Sequence, residues 1–268
     1  MNTTDFSITS TPLPSAGRAV AVSPDNSTAY VLAAGTGGTA LVYQVPLLPG
    51  PGYGHASLAC NLTQPPLFLA LARSLRMSWV IPTRLYAPYF RTVAWLDVIT
   101  CEAGVAAGEA YQSGSTDGAP ANSTFQAITG CALDPMDGGL LVTDAQSCTL
   151  RKISLPDHTV TTLWGVAGDC GVREGDVHFA RLRPGYFLDT DGQTGDIFMT
   201  NDLGNGRTSI GVIQRSSGLY TVIAGDTSAC ASSQRLPQAC SSGITGLAVM
   251  GANLTYVAHA TSVVQLAA

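Results

Sequence analysis

The sequence predicts an all-β protein, a β-propeller of four-stranded antiparallel blades, and three observations lead there. Residues 165–225 hold four short β-patterns, Tyr186 to Asp189, Asp196 to Asp202, Ser209 to Gln214 and Leu219 to Ala224. The turn pairs Asp191-Gly192, Asn205-Gly206 and Ser217-Gly218 separate them, as antiparallel hairpins require. A Gly-rich lead-in opens the unit, with Gly-Val-Ala-Gly at 165–168 and Glu-Gly-Asp at 174–176. Residues 114–164 repeat these landmarks in the same order. A single four-stranded sheet cannot bury both of its faces, so such units must stack on one another.

Taken in order, the chain divides at the Gly-rich ends of the closing strands into blades of about 15–60, 61–104, 105–164, 165–224 and 225–268. Blade one takes strands at Arg18 to Val22, Thr28 to Leu32 and Ala40 to Val45, and Pro46 to Gly54 reads as an irregular connection. Blade two takes Leu67 to Leu71, Ser78 to Pro82, Arg91 to Leu96 and Val98 to Glu102, although Leu67 to Met77 also fits a short helix. Blade three carries Cys131-Ala-Leu-Asp-Pro, Gly139 to Asp144, Leu150 to Ser154 and Val160 to Trp164. Blade five offers only Ile244 to Val249, Leu254 to His259 and Ser262 to Leu266. A blade without its outer strand leaves an exposed edge. The alternating residues 5–9, Asp-Phe-Ser-Ile-Thr, are expected to close it, giving one five-bladed domain over residues 1–268. The alternative is a fragment of a propeller with six or more blades.

The order Gly-x-x-Gly, Gly-Asp, Phe-Ala-Arg at 179–181, Pro184-Gly185, a strand ending in Asn201-Asp202, then Asn205-Gly206-Arg207 and a closing Thr221-Val222 strand resembles the NHL-repeat family of β-propellers. The likeness is clear over residues 105–225 and faint elsewhere. It implies a fold rather than one activity, since such propellers include binding scaffolds and enzymes. The histidine pattern of NHL-type amidating lyases has no match in His55, His158, His178 and His259. A calcium-dependent lactonase-like site at the axis would need converging Asn, Asp and Glu. Only Asn201-Asp202 offers an adjacent pair. Asp134, Asp144, Asp189 and Asp202 read as turn caps at matched places in two blades.

Composition narrows the function classes. With 46% hydrophobic and 12% charged residues the chain can fill a core, and its 29 Gly and 15 Pro fit many turns. The net charge is −5 and Lys152 is the single lysine, which argues against nucleic-acid binding. Leu67 to Val80 is the most apolar run, but Arg73 and Arg76 interrupt it and it is too short to cross a bilayer. Polar Asn2-Thr3-Thr4-Asp5 is no signal peptide, so an exported protein would carry this chain as a mature form or as part of a longer one.

Five of the seven asparagines, Asn2, Asn26, Asn61, Asn122 and Asn253, stand in glycosylation sequons, which points to an extracellular or cell-surface glycoprotein. In that compartment seven cysteines imply disulfides. The expected pairs are Cys230 with Cys240, Cys131 with Cys148 and Cys60 with Cys101, which leaves Cys170 over. The expected function is a binding or structural module that shows its loop faces to a protein partner or to neighbouring subunits. Aromatic residues in irregular stretches, Tyr53, Tyr86, Tyr89 and Phe90, are the candidate contacts. No cofactor is called for. The alternative is a metal-dependent hydrolase or lyase with calcium or zinc at the propeller axis.

Overall fold

The computed structural model describes residues 17–63, 76–77, 81–155, 157–225, 244–249, 255–259 and 263–266. Five antiparallel sheets account for nearly all of its regular structure. The first holds β1 (Gly17–Val22), β2 (Thr28–Ala34), β3 (Ala40–Pro46) and β4 (Ser57–Leu62). The second holds β5 (Arg76–Met77), β6 (Arg84–Tyr89), β7 (Thr92–Asp97) and β8 (Ala103–Ala107). The third holds β9 (Ile128–Leu133), β10 (Leu140–Asp144), β11 (Thr149–Ile153) and β12 (Val160–Trp164). The fourth holds β13 (Pro184–Thr190), β14 (Ile197–Gly204), β15 (Arg207–Gln214) and β16 (Leu219–Ala224). The described residues of the fifth supply three strands, β17 (Ile244–Val249), β18 (Thr255–His259) and β19 (Val263–Leu266). In each sheet the strands lie in sequence order, the up-and-down arrangement of a propeller blade. Residues 5–9, expected to complete the last blade, lie outside the described residues, as do Cys230, Cys240, Asn2 and Asn253.

The chain forms two compact units, residues 1–87 with 95–104, and residues 88–94 with 105–268. In the first unit the residues between Pro46 and Ser57 form the expected connection, and blade one gains a fourth strand that the sequence did not mark, β4, which pairs with β3 from Ser57 to Leu62. Residues 84–89 form strand β6, where Pro82 and Pro88 had suggested an irregular segment. Proline lacks the amide that a strand between two neighbours would donate. Among the described residues β5 meets Leu85 and Tyr86 of this strand.

In the second unit the middle strands are the driest. All five residues of β10 (Leu-Leu-Val-Thr-Asp) are buried, as are the first five of β14 (Ile-Phe-Met-Thr-Asn). Sheets covered on both faces read as apolar runs rather than as an alternation, and these two segments do. Leu141, Leu150, Leu182, Leu188, Ile197, Met199 and Tyr220 join in one apolar cluster between the third and fourth sheets. Ile210 and Ala224 continue the packing with Phe187 and with Leu247 of β17.

Polar groups fasten the blades along the same seam. The Thr129 hydroxyl donates to the Gly185 carbonyl at 2.6 Å, and the Thr190 hydroxyl to the Leu133 carbonyl at 2.9 Å. Asp134, fully buried, takes Lys152 Nζ at 2.8 Å from its own blade and Arg215 Nη2 at 2.6 Å from the next. Asp189 accepts the Val249 amide of β17 at 2.9 Å.

The lead-ins are two-stranded ribbons whose tips cover the outer strand of the blade they introduce. Gly118 exchanges both backbone bonds with Val160 in β12, and Gly175 does the same with Tyr220 in β16. Beside them Asp117 accepts the Thr162 amide and Glu174 the Val222 amide, each at 2.7 Å. An edge strand hidden in this way is no longer free to pair with another chain.

These matched bonds define true counterparts between the two blades. Asp134 corresponds to Asp191, since each accepts through its carbonyl the amide of the glycine four residues on, Gly138 and Gly195. Asp144 corresponds to Asn201, in place of the expected match with Asp202. Only Asp134 and Asp202 of the four expected caps hold turn amides with their side chains, those of Met136 and Gly204. Asp144 instead accepts the lead-in amides of Gln126 and Ala127 and the Ser147 hydroxyl.

Cys60 and Cys101 are disulfide-bonded across 5.5 Å between Cα atoms. The expectation for Cys148 is corrected: its partner is Cys170, with Cα atoms 5.2 Å apart. Cys131 lies in mid-strand opposite Val142, while Cys148 lies beyond the end of β10 in the turn to β11. Because β12 returns antiparallel to β11, Trp164 ends beside Leu150. The chain after it therefore passes the turn that carries Cys148, where the Gly168 amide donates to the Ser147 carbonyl at 3.1 Å.

Candidate functional site

The first strands of successive blades begin at one end of the sheets, and the second unit departs from regular geometry there. Pro184 pairs with Asn201 but Leu188 with Met199, so β13 carries two more residues than β14 over this interval. The resulting bulge is held by Thr200, whose hydroxyl receives the Phe187 amide at 3.1 Å in place of a ladder bond. Gly185 is required beside it, because a Cβ there would come within 2.7 Å of the Thr200 hydroxyl. Bulges re-aim side chains, and this one leaves Tyr186 67% exposed on a first strand.

Across from the bulge β14 runs into a raised turn. Asp202 caps it by accepting the Gly204 amide at 2.8 Å, and Asn205 and Gly206 follow with φ of 54° and 72°. Both angles are left-handed, which Asn and Gly tolerate and which a tight hairpin of this twist demands. The counterpart turn in blade three is three residues shorter, since Asp144 pairs with Thr149 whereas Asn201 pairs with Ser209.

Bulge and raised turn enclose a cavity of about 360 Å³. Its walls include Tyr186 and Phe187 on the β13 side and Thr200, Asp202, Asn205 and Thr208 on the other. The Thr208 hydroxyl oxygen is buried and has no hydrogen-bond partner.

Phe90 and Arg91 stand at the same end of the second unit. The Phe90 carbonyl accepts the Ile128 amide at 2.5 Å, at the start of β9, one residue from the Thr129 that bonds Gly185. Phe90 is 43% exposed, has φ of 55°, and lies under the Arg91 guanidinium at 4.5 Å from its ring centroid. A bulky side chain in the left-handed region is a strained position, and strain of this kind collects at functional sites.

The other expected contacts separate. Tyr89 is half-buried at the end of β6. Tyr86 is completely buried in β6, so it fills its blade and is withdrawn as a contact. Burial pushes its phenol pKa up, against the opposing effect of Arg84. Tyr53 is exposed but stands in the β3–β4 connection, at the end of its sheet opposite the start of β1. Tyr186 was not marked by sequence, because Tyr186-Phe187 reads as ordinary strand, and only the extra residues opposite β14 reveal the bulge.

Beneath the surface the two blades fill one place differently. Arg151, whose side chain is fully buried, donates to Asp117 Oδ1 at 2.7 Å and to the carbonyls of Thr116 and Thr124 at 2.6 and 2.5 Å. Its guanidinium lies 4.4 Å from the Phe125 ring centroid and 3.8 Å from Asp144. In blade four the phenol of Tyr220 donates to Asn201 Oδ1 at 2.9 Å, and burial pushes its pKa far up. Asp144 thus faces a cation and its counterpart Asn201 a neutral hydroxyl. Both arrangements are structural.

Of the sequons, Asn26, Asn61 and Asn122 are exposed, in the β1–β2 turn, on outer strand β4 and in the lead-in of blade three. Among the described residues no helix is long and apolar enough to cross a membrane. No group of three or more His, Cys, Asp or Glu side chains among them is arranged to hold a metal.

No protein-family model and no curated protein matches the chain. Solved structures do. The chain is similar to a protein of unknown function from Bacteroides thetaiotaomicron VPI-5482, with a TM-score of 0.68 and 16% identity over 95% of this chain and 60% of that one. It is also similar to a chain of the nidogen/laminin complex, with a TM-score of 0.52 and 13% identity over 90% and 78%. A third match is the extracellular domain of a putative one-component system from B. thetaiotaomicron, with a TM-score of 0.57 and 11% identity over 97% and 28%. The chain spans about 60% of the length of the first of these. At such identities the likeness shows the fold, an all-β propeller.

Proposed function

We propose that this chain is an extracellular or cell-surface, N-glycosylated propeller module of the NHL type, whose first-strand end binds a protein partner or a neighbouring subunit. The observation that carries the reading is the line of contacts from exposed Phe90 through Ile128 and Thr129 to Gly185 and exposed Tyr186. Aromatic and arginine side chains dominate binding energy at protein interfaces, and Phe90, Arg91 and Tyr186 supply both. Two disulfides and three exposed sequons support an oxidising, glycosylating route. The repeated lead-in ribbons support the NHL type. One of the similar structures is itself an extracellular domain and another is a chain of a protein complex.

The test is binding of purified protein to intact cells and extracellular matrix, with self-association followed by sedimentation. The pair Phe90→Gly with Arg91→Ser is expected to lower binding or association at least tenfold. Equal behaviour of the pair and the parent protein would sink the reading. Glycosidase treatment of natively produced protein is expected to remove mass from peptides containing Asn26, Asn61 and Asn122. An unchanged mass would overturn the compartment.

A further inference from the structure

We infer that the cavity beside the β13 bulge is a binding site for a neutral saccharide of one or two rings. Its size of about 360 Å³ sits near the small end of ligand sites, which run from about 300 to 1,000 Å³. One wall offers the exposed Tyr186 ring, whose flat apolar face suits the C–H face of a pyranose. The other wall mixes hydrogen-bonding types. Asp202 accepts, and the Asn205 amide and the Thr208 hydroxyl each donate and accept. Sugar hydroxyls both donate and accept, so they can use every one of these groups at once.

Thr208 points most directly to a ligand. A buried hydroxyl without a partner costs about 1–3 kcal/mol. Nothing in the fold repays that cost here, since the Thr208 Oγ1 has no protein partner while Thr200, across the cavity, satisfies the backbone of Phe187. A hydroxyl of a bound ring placed against Thr208 would supply the missing bond. A basic peptide side chain fits less well, because it carries only donors and leaves the donors of this wall unused.

The site shares Tyr186 with the partner surface proposed above, so the two are told apart by Thr208→Val on this side and Phe90→Gly on the other. Saturation-transfer NMR with glucose, galactose, mannose, N-acetylglucosamine, cellobiose and lactose is expected to show transfer to at least one of them. Calorimetry should then give a Kd on the order of 1 mM. Tyr186→Ala and Thr208→Val are each expected to weaken that binding at least tenfold, while Phe90→Gly leaves it unchanged. Thr208→Val removes an unsatisfied group without changing shape, so its melting temperature should equal or exceed that of the parent, which separates loss of the site from loss of the fold. The proposal is overturned if no sugar saturates, if acetyl-arginine amide saturates where no sugar does, or if both cavity variants bind as the parent does.

Discussion

Tyr220 lies across Gly211 so closely that a Cβ on Gly211 would come within 2.4 Å of the tyrosine ring. Gly211 is the counterpart of Arg151 and Tyr220 of Val160, so a large residue and a small one exchange strands between blades while the volume stays filled.

Substitution should show this coupling. Gly211→Ala is expected to cost about 1–3 kcal/mol, because the buried ring cannot shift without losing Asn201. Tyr220→Phe should cost about 1–2 kcal/mol by leaving the Asn201 amide oxygen unsatisfied. In a Tyr220→Ala background the methyl at 211 finds room, and its own cost should fall close to zero. Urea unfolding of the single and double variants measures it, and additive costs would refute the exchange.

Asp134 and Asp191 occupy matching turns with unlike surroundings. Asp134 is neutralised by Lys152 and Arg215, whereas Asp191 Oδ2 is buried without a partner. Asp134→Asn should therefore cost about 3 kcal/mol or more, since it leaves two cations facing each other around a neutral amide. Asp191→Asn should be close to neutral, because its Oδ1 still accepts the Gln193 and Thr194 amides while the unpartnered side of the group loses its charge. Comparable losses at both positions would contradict this assignment.

Peptide mapping without reduction is expected to recover Cys148 linked to Cys170 and Cys60 linked to Cys101. Replacing Cys148 and Cys170 together by Ser should lower stability by about 3 kcal/mol, the scale for closing a loop of this 22-residue separation. A peptide joining Cys131 to Cys148 would refute the pairing.

The blades legible in advance were those whose turns announce themselves. Asn205-Gly206 and Asp191-Gly192 punctuate blade four, and Leu140 to Val142 marks a buried strand by its apolar run. Blade two hid because its hairpin turns on Phe90-Arg91, which no propensity would choose, and because Pro88 masked β6. The candidate site was half legible. Phe90 was marked by its neighbours in sequence, but the cavity depends on a pairing offset between β13 and β14, and a register offset leaves no trace in composition.

Acid should weaken the fold through four carboxyl groups held below their usual range. The Ser23 hydroxyl, aided by the Ser27 amide and hydroxyl, brings Asp25 down to about 2. At Asp97 burial pushes upward but yields to the Thr83 hydroxyl and the amides of Ile99 and Thr100. At Asp137 burial yields likewise to Lys152 and the Gly139 amide, and Asp157 is drawn down by the hydroxyls of Ser154 and Thr159. A carboxyl group with a depressed folded pKa contributes its full stabilisation above the unfolded value, about 4, and loses it as pH falls through the folded one. The urea midpoint should be flat above about pH 5 and decline steadily from about pH 4 to pH 2. A midpoint that held constant over that lower range would contradict the assignment of these four groups.

The three extra residues between Asn201 and Ser209 have an evolutionary consequence. A repeated sheet can acquire a recognition feature through an insertion in one hairpin, with its strands and their packing left as they were. In blade three the corresponding hairpin is short and carries Cys148, tied to Cys170. The feature is local: residues 202–208, together with Gly185 and Tyr186, form it at the tip of one hairpin, and the pairing of β14 with β15 runs unbroken beneath it from Asn201 to Ile197.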